Sequence, residues 1–582
     1  MSGSPLRGLS LVTGHTQGPI LKSTVALSFW GGVDPVSGLV IDQHHPLKGQ
    51  NVAGSILAIP SGRGSCTGSS VLLELILNDC APAGLIVCER EEILTLGVII
   101  AEVMFKKSLP IIQLSKSDFQ KLKSNCFVKL DDEVLTLSTE PLKKESPTSG
   151  VESSTPRAIP QQLELGTEDQ KLLNGEHGKA AQIAMQVVCR MAGIQGATQL
   201  IDVSQAHIDG CVYNGPSSLL FATQLNDWGA KVRVPTTLNS ISVDQRRWQQ
   251  QGIDKAFGEP ASQLGDAYMK MGAQLSFTCA PYLLDTLPKH GEQIVWAESN
   301  AVVFANSVLG ARTQKYADFM DICVALTARA PYSGSHIDSG RLPGSQIIVE
   351  ANDSANDAYW PLLGYQIGLL TVNDIPIIYG LEESAPSDDD LKAFSAAFAT
   401  TSSVAMFHMA GVTPESSIAN EFARSSLSKV NNVRVTAKML RQSWHELNSA
   451  TNANVDVVCL GNPHFSLNEC SLLAKLCSDQ QKKDGLRIYV TLGRAIHEKA
   501  NQAGYVEILE QFGVEFITDT CWCMLSAPVI PDSAEVLMTN SGKYAHYAPG
   551  LVGKSIYFDS LENCVAAACN GQHKSVTPVW LS

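Results

Sequence analysis

Short apolar runs of strand length alternate with helix-patterned segments from about residue 164 to the end of the chain. One long helix is predicted over 167–191, and the strand-like runs after it lie at 199–203, 230–234, 274–279, 294–296, 346–349, 455–460, 487–490 and 515–517. Repeated βα order predicts an α/β fold of parallel sheets covered by helices on both faces. Ligands in such folds bind at the carboxyl ends of strands, and polar side chains follow many of these runs.

A smaller α/β unit precedes this large region. Its predicted strands are 24–29, 55–59, 84–88 and 109–114, and its predicted helices are 71–78 and 94–105. The segment 139–163 is rich in Ser, Thr and Pro and has no hydrophobic period, which is typical of a flexible linker. The sequence therefore predicts a small domain over 1–138, a linker over 139–163 and a large, multi-lobed domain over 164–582.

The bulk composition excludes several classes of protein. A net charge of −14 argues against a nucleic-acid partner, because phosphate binding needs clustered Lys and Arg. The sequence contains no run of 18 apolar residues, so it predicts no membrane-spanning helix. Its first residues lack the pattern of a secretory signal. The 15 cysteines are scattered rather than arranged as a disulfide framework. We therefore expect a cytoplasmic protein.

The turn PSGRGSCTGSS at 60–70 joins a predicted strand to a predicted helix. A glycine-rich turn at a helix N-terminus presents backbone N–H groups to an anion. Ser65 is a candidate base there, because a serine hydroxyl must be stabilised as an alkoxide to accept a proton near neutral pH, and Arg63 adds a positive charge nearby. The same turn also fits a generic anion site, although it matches neither the dinucleotide fingerprint nor the Walker pattern.

Cysteines and charged residues stand at the ends of other strands. Cys279 and Cys521 each follow such a run, where a cysteine is either a ligand or nucleophile or a buried thiol. Glu298 is a candidate acid or base in an apolar setting, and Arg312 is suited to a two-pronged contact with a carboxylate. The alternative for Glu298 and Arg312 is a salt bridge with each other.

Further polar turns follow the predicted strands, and the Ser-Gly-Lys turn at 541–543 suits an anionic substrate group. Together with the two cysteines, these turns predict one large polar pocket with a soft-metal site. The candidate substrate-binding residues are Gly210, Thr237, Asn239, Ser299, Asn540, Ser541 and Lys543.

Seven motifs together resemble the aconitase X branch of the aconitase superfamily. They are GRGSCTGS at 62–69, TTLN at 236–239, CAPYL at 279–283, W-x-ESNAVVFANSVLGART at 296–313, NPH at 462–464, DTC at 519–521 and TNSGK at 539–543. The resemblance covers nearly the whole chain outside the linker. It implies a large α/β domain of stacked lobes with a small swivelling domain, here at the N-terminus. It also implies a hydro-lyase that depends on an iron–sulfur cluster.

The resemblance also implies roles for individual residues. The proton acceptor of the family maps onto Ser65, and two cluster cysteines map onto Cys279 and Cys521. In the archaeal branch the third ligand is a cysteine directly before Pro-His, where this chain has Asn462. Cys323 and Cys459 are the candidate replacements. We favour Cys323, because similar single-chain members carry a cysteine there.

The single-chain branch is similar to cis-3-hydroxy-L-proline dehydratases, with which a 2Fe–2S cluster is associated. The archaeal branch has separate subunits and a 4Fe–4S cluster, and it dehydrates mevalonate 5-phosphate. The fused chain and Asn462 favour the hydroxyproline substrate, and we expect a small hydroxy amino acid as partner, with neither nucleic acid nor a membrane. The alternatives are a phosphorylated or other hydroxy acid on the same fold, a modified amino acid of secondary metabolism, and RNA binding. The oligomeric state stays open, a monomer being one option.

Overall fold

The computed structural model describes residues 5–124, 126–141, 162–350, 355–371, 373–425, 431–574 and 576–581. The chain divides into two compact units. The first unit comprises Met1–Val203, Asn214–Val234 and Tyr316–Ser333, and the second comprises Ser204–Tyr213, Pro235–Lys315 and Gly334–Ser582. Most of the predicted linker, residues 142–161, lies outside the described residues.

An eight-stranded mixed sheet dominates the first unit. Its order is Leu6–Arg7, Val134–Ser138, Phe127–Asp131, His15–Lys22, Ile56–Ala58, Gly84–Val87, Ile111–Gln113 and Leu9–Val12. The four strands from His15–Lys22 to Ile111–Gln113 run parallel, and the flanking strands pair antiparallel. The parallel strands are short and buried, as their apolar runs predict, with Ile56 and Ile86 fully inaccessible.

Helices and a small two-stranded sheet complete the first unit. The strand Leu200–Asp202 pairs antiparallel with Arg329–Pro331. The segment predicted as one helix over 167–191 is two helices, because Gly175 ends the first in the left-handed region with φ of 80°. The helices are Gly68–Leu77, Ile93–Phe105, Lys116–Lys121, Thr167–Asn174, Lys179–Ile194, Pro216–Asp227 and Met320–Thr327.

Three sheets in the second unit are entirely parallel, as the βα alternation predicts. The first has the order Thr236–Leu238, Ala206–Ile208 and Val295–Trp296. The second has the order His408–Met409, Pro376–Tyr379, Ser345–Ile348 and Asn431–Arg434. The third has the order Val514–Ile517, Arg487–Thr491, Val457–Leu460, Val536–Thr539 and Ser555–Phe558.

Helices connect these strands in the second unit and cover the sheets. The α-helices are Lys255–Lys270, Ser299–Phe304, Tyr359–Leu370, Asp388–Thr401, Ser416–Ser425, Ala437–Leu447, Leu467–Cys477, Arg494–Gln502, Tyr505–Phe512, Gly542–Leu551 and Leu561–Asn570. A π-helical turn, Ala305–Leu309, continues Ser299–Phe304, and short 3-10 turns include Pro281–Leu283 and Trp522–Met524. No helix in the described ranges is long and apolar enough to cross a membrane.

Three predicted strands are wrong. The segments 24–29 and 274–279 form only isolated bridges, at Leu27 and Gln274, and 230–234 precedes the strand Thr236–Leu238. Their apolar residues reflect burial without ladder pairing, since Leu27 is fully buried in a loop. Phe277 has φ of 36°, which interrupts an extended conformation two residues before Cys279.

Candidate functional site

Three cysteines of the second unit, Cys279, Cys521 and Cys523, lie close together. Cys279 comes just before the turn Pro281–Leu283, and Cys521 and Cys523 follow the strand Val514–Ile517. All three side chains are buried, and the thiols of Cys279 and Cys523 both hydrogen-bond to the sulfur of Cys521. Cys521 is therefore the central member of a group of three soft donors.

These contacts give the three sulfurs different protonation states. Hydrogen bonds from Cys279 and Cys523 hold the pKa of Cys521 well below its usual range, and the Lys543 ammonium adds to the effect. Burial, followed by the contact with Cys521, raises the pKa of Cys279. The hydrogen bond to Cys521, followed by burial, raises the pKa of Cys523. The three sulfurs are therefore close enough to affect one another's ionisation.

The Asn462–His464 turn donates hydrogen bonds to the two outer sulfurs. The backbone N–H of His464 lies 3.3 Å from Cys279 Sγ, and the side-chain amide of Asn462 lies 3.3 Å from Cys523 Sγ. Donors of this kind stabilise sulfur in its anionic form. Thiolates with N–H donors are ligands for zinc, copper(I) or iron–sulfur centres rather than for hard cations.

The His464 ring bridges the two loops that carry Cys279 and Cys521. Its Nδ1 lies 3.1 Å from Thr278 Oγ1, and its Nε2 lies 2.8 Å from the carbonyl oxygen of Thr520. Thr278 and Thr520 directly precede Cys279 and Cys521 in the chain. Burial lowers the pKa of His464, so the ring is neutral and bridges the two loops through hydrogen bonds.

A buried ion pair, Glu298 with Lys543, is the second feature of the site. The Lys543 ammonium lies 2.7 Å from Glu298 Oε1. The side-chain amides of Asn300 and Asn239 donate to the same carboxylate at 2.6 and 3.1 Å. Burial opposes ionisation of Glu298, but Lys543 outweighs it and lowers the pKa of the carboxyl. Glu298 is therefore a fixed negative charge, and its partner is Lys543 rather than Arg312.

Domain models of aconitase X match nearly the whole described chain. The aconitase X swivel domain matches residues 5–138, and the first, second and third domains match 162–339, 345–445 and 455–570. The chain belongs to the aconitase X family. This finding confirms the resemblance and the predicted α/β fold with an N-terminal swivel domain.

Individual members of the aconitase X family are similar over the full length. The chain is 50% identical to the cis-3-hydroxy-L-proline dehydratase of Hypocrea jecorina over 584 residues, which cover 100% of this chain and 98% of the relative. It is 52% identical over 577 residues to the cis-3-hydroxy-L-proline dehydratase of Pseudomonas aeruginosa, covering 98% of each. The crystal structure of Thermococcus kodakaraensis aconitase X in its holo-form superposes with a TM-score of 0.62 at 31% identity, over 70% of this chain and 100% of that one.

The predicted substrate-binding residues of this aconitase X chain fall into two groups within the second unit. Asn239, Ser299 and Lys543 all contact Glu298, and Gly210 follows Asp209, which accepts a hydrogen bond from Asn239. Thr237 Oγ1 lies 2.8 Å from His207 Nδ1.

Asn540 and Ser541 form the second group, at the start of the helix Gly542–Leu551. Ser541 caps this helix by accepting the Tyr544 N–H at 3.1 Å, and it donates to Asn462 at 3.4 Å. Both residues line a small cavity with Asn462, Lys392 and Glu469. Lys392 is paired there with Glu469 and, at 3.0 Å, with Asp389.

Arg312 has acidic partners of its own. Its guanidinium lies 2.5 Å from Asp338 and 3.9 Å from Glu415. The alternative of a Glu298–Arg312 salt bridge is therefore wrong, since each residue pairs elsewhere.

Cys323 and Cys459, the two candidate third ligands, are both buried. Cys323 lies in the first unit, inside the helix Met320–Thr327, where burial raises the pKa of its thiol. Cys459 is buried within the strand Val457–Leu460. Cys523, which was not among the cysteines predicted from the sequence, is the one that the structure brings to Cys521. The Cys-x-Cys spacing at 521–523 is the sequence signal that points to it.

Ser65 lies in the first unit in the turn before the helix Gly68–Leu77. Its hydroxyl oxygen accepts the Thr67 N–H at 3.3 Å and donates to Thr67 Oγ1 at 3.0 Å. Arg63 lies 3.1 Å from Asp42, so its charge is balanced by a carboxylate. Glu91 anchors the turn by accepting the backbone N–H of Gly62.

A separate group of hard donors lies in the first unit. Among the described residues, the ligand atoms of three groups lie mutually within 4.8 Å at His15, Asp131 and Asp132. This set lies on the rim of the eight-stranded sheet, where its members are exposed or half-buried.

Proposed function

We propose that this chain is a hydro-lyase that dehydrates cis-3-hydroxy-L-proline to Δ1-pyrroline-2-carboxylate and that it uses an iron–sulfur cluster. The observation that carries the proposal is the buried group of Cys279, Cys521 and Cys523, with N–H donors on both outer sulfurs. Full-length similarity to two proteins named cis-3-hydroxy-L-proline dehydratase supports both the dehydratase activity and the substrate.

The donor set fits an iron–sulfur cluster. Three sulfur donors are soft ligands, and Glu298 and Lys543, the ionised pair beside them, neutralise each other at 2.7 Å. We assign Cys279, Cys521 and Cys523 as ligands of a 2Fe–2S cluster. When bound, the cluster supplies a Lewis acid that makes the 3-hydroxyl a better leaving group.

We assign proton transfer to Ser65. Its ionised oxygen takes the α-proton, the C3–O bond breaks, and the departing hydroxide takes up that proton and leaves as water. The enamine product then tautomerises to the pyrroline. The Thr67 N–H at 3.3 Å supports this role, because a donor aimed at the oxygen stabilises its anionic form. The N-terminus of the helix Gly68–Leu77, three residues after Ser65, also stabilises the anionic form of this oxygen.

We assign the substrate carboxylate to the Asn540–Gly542 turn. Ser541 is buried, its hydroxyl is oriented as a helix cap, and backbone N–H groups begin a ten-residue helix there. Glu298 and Lys543 then act as a fixed pair that orders Asn239 and Asn300 rather than as a proton-transfer couple.

The pairing of the lysines favours an amino acid over a phosphorylated substrate. Lys543 is paired with Glu298, and Lys392 is paired with Glu469 and Asp389. A phosphate dianion needs unpaired cationic groups, whereas a zwitterion carries its own balancing charge. The pairing of both lysines with carboxylates therefore supports cis-3-hydroxy-L-proline over mevalonate 5-phosphate as the substrate.

The test is anaerobic purification followed by measurement of iron, sulfide, the visible spectrum and turnover on both substrates. We expect two irons per chain and pyrroline formation from cis-3-hydroxy-L-proline, with no turnover of mevalonate 5-phosphate. Iron with turnover of the phosphorylated substrate alone overturns the substrate assignment. A chain without iron after reconstitution overturns the cluster assignment.

A further inference from the structure

The two loops that carry Cys279 and Cys521 share an unusual backbone feature. Phe277 and Asp519 are non-glycine residues in the left-handed region, with φ of 36° and 69°. Each stands two residues before a cysteine, in the sequences Phe-Thr-Cys and Asp-Thr-Cys. Such conformations are costly and persist only where surrounding contacts hold them. Something in the second unit must therefore stabilise both residues.

Arg494 contacts both of these residues. Its Nε and one terminal nitrogen donate to the two oxygens of Asp519 at 2.6 and 2.7 Å. Its guanidinium carbon lies 5.7 Å from the centre of the Phe277 ring, within the range of a cation–π contact. One side chain thus joins the strained residue of one cysteine loop to the strained residue of the other.

The turn that carries Arg494 is itself packed against the Cys279 loop. Arg494 is the first residue of the helix Arg494–Gln502, and Gly493 caps it. A Cβ atom at Gly493 would lie 3.3 Å from the Cβ of Thr278, so the backbone of the turn is already close to this loop. The backbone that carries the Arg494 side chain is therefore held close to the Cys279 loop.

We propose that Arg494 is a positioning residue that sets the spacing of Cys279 and Cys521 by clamping Phe277 and Asp519. This inference rests on the proposed function, in which these two cysteines are cluster ligands. The clamp requires an arginine, because a planar guanidinium can make a two-pronged contact and stack on a ring at once, and an ammonium cannot.

The surroundings of Asp519 determine how its loop responds to loss of the arginine. The Asp519 side chain is fully buried and lies near Asp244, whose pKa is raised by burial and by the Asp519 charge. The backbone N–H of Gln245 still donates to Asp519 at 3.1 Å. Without Arg494, the repulsion between the Asp519 and Asp244 carboxylates is less well compensated, and we expect the Asp519 loop to shift.

The test compares Arg494→Lys with a matched control, Arg329→Lys. Arg329 makes the same two-pronged contact in the first unit, with Asp169 at 2.8 and 3.1 Å. The exposed fractions of the side chains are similar as well. They are 18% for Arg329 and 2% for Asp169. They are 23% for Arg494 and 0% for Asp519. Both variants lose one clamp of the same chemistry, and only one clamp joins the cysteine loops.

Two readouts report the site without relying on turnover. Cadmium(II) is titrated into the metal-free, reduced protein and followed by thiolate-to-metal absorption, and Cys521→Ser shows that the signal comes from this site. Iron and sulfide per chain are measured after anaerobic reconstitution. We expect Arg494→Lys to bind cadmium about 10- to 100-fold more weakly than the parent chain and to retain less iron. Because Arg329 also pairs with Asp202 at 2.7 Å, Arg329→Lys keeps the parent affinity while losing at least as much thermal stability.

A double variant separates positioning from the burial of an unpaired charge. Arg494→Gln with Asp519→Asn removes the clamp and the charge together, so stability recovers while cadmium affinity stays low. Parent-like cadmium binding by Arg494→Lys or by this double variant overturns the inference, and so does an equal loss of affinity in Arg329→Lys. A parent chain that binds cadmium tightly but takes up no iron–sulfur cluster overturns the proposed function and leaves the cadmium comparison of Arg494 valid.

Discussion

The side-chain amide of Asn462 donates a hydrogen bond to the sulfur of Cys523 at a distance of 3.3 Å. Hydrogen bonds to a cluster-ligating sulfur withdraw charge from it and are among the features that set a cluster's reduction potential. Asn462→Asp keeps the shape of the side chain but replaces the donor by a negative group. We expect a more negative midpoint potential and less iron per chain, measured by redox titration and iron analysis.

The control for Asn462 is the same substitution at Asn454. Asn454 is exposed, and its side-chain oxygen accepts a hydrogen bond from Gln572 at 3.2 Å, a role that an aspartate retains. Asn454→Asp should leave potential and iron content unchanged. An unchanged potential in Asn462→Asp would contradict the role of this hydrogen bond.

The identity of the third cysteine ligand is decided by three single substitutions. Because Cys523 hydrogen-bonds to Cys521, Cys523→Ser should abolish most iron and sulfide uptake. Cys323→Ser and Cys459→Ser should retain it, since burial inside the helix Met320–Thr327 and the strand Val457–Leu460 raises the pKa of these thiols. Loss of the cluster in Cys323→Ser with retention in Cys523→Ser would instead support the ligand favoured from the sequence.

Ser65→Ala should separate catalysis from cofactor binding. The substitution removes the proposed proton acceptor and leaves the three thiols unaltered, so kcat should fall by at least about a hundredfold while iron content and spectrum stay the same. Ser69→Ala is the control, because the Ser69 hydroxyl of the same segment donates only to backbone carbonyls, at 3.2 and 3.4 Å. Substantial turnover in Ser65→Ala would contradict its assignment as the base.

The Glu298–Lys543 pair should show strong coupling in a double-mutant cycle. Removing one partner of a buried pair leaves an uncompensated charge, which costs about 3–5 kcal/mol. Glu298→Gln and Lys543→Met should each destabilise the protein by that order, and the double variant should lose clearly less than the sum. Thermal and urea unfolding measure the three variants, and additive losses would show that the two groups do not depend on each other.

His336 should make the protein less stable in mild acid. Burial, followed by the charges of Arg341 and Arg312, lowers the pKa of His336 to about 3 from 6.5. Below pH 6.5 the unfolded chain binds a proton at His336 that the folded chain does not bind. The contribution of His336 to the free energy of unfolding is therefore fully present above pH 6.5, and it is lost progressively as the pH falls towards 3. At pH 5 the loss is about 2 kcal/mol.

His336→Gln isolates this histidine from the other titrating groups. The difference in unfolding stability between pH 8 and pH 5 should be smaller in the variant by about that amount. Equal pH dependence in the two proteins would show that His336 binds a proton in the folded state.

The predictions that succeeded depend on local patterns. The strands Val457–Leu460, Arg487–Thr491 and Val514–Ile517 are recognisable as short apolar runs, because strands of a covered parallel sheet are buried on both faces. Cys521 follows the strand Val514–Ile517, as its apolar run predicts, whereas Cys279 follows a segment that forms only an isolated bridge. The segment 24–29 failed, since burial in a loop produces the same apolar composition as a strand.

The sequence by itself determined the parallel α/β architecture, the N-terminal swivel domain and the family, because these follow from periodicity and from motifs read along the chain. Tertiary structure decided which side chains meet. Lys543 is 245 residues from Glu298, and His464 is 185 residues from Cys279. Such contacts depend on how loops from different sheets pack together and on the left-handed backbone at Phe277 and Asp519, and neither is encoded in the spacing of residues along the chain.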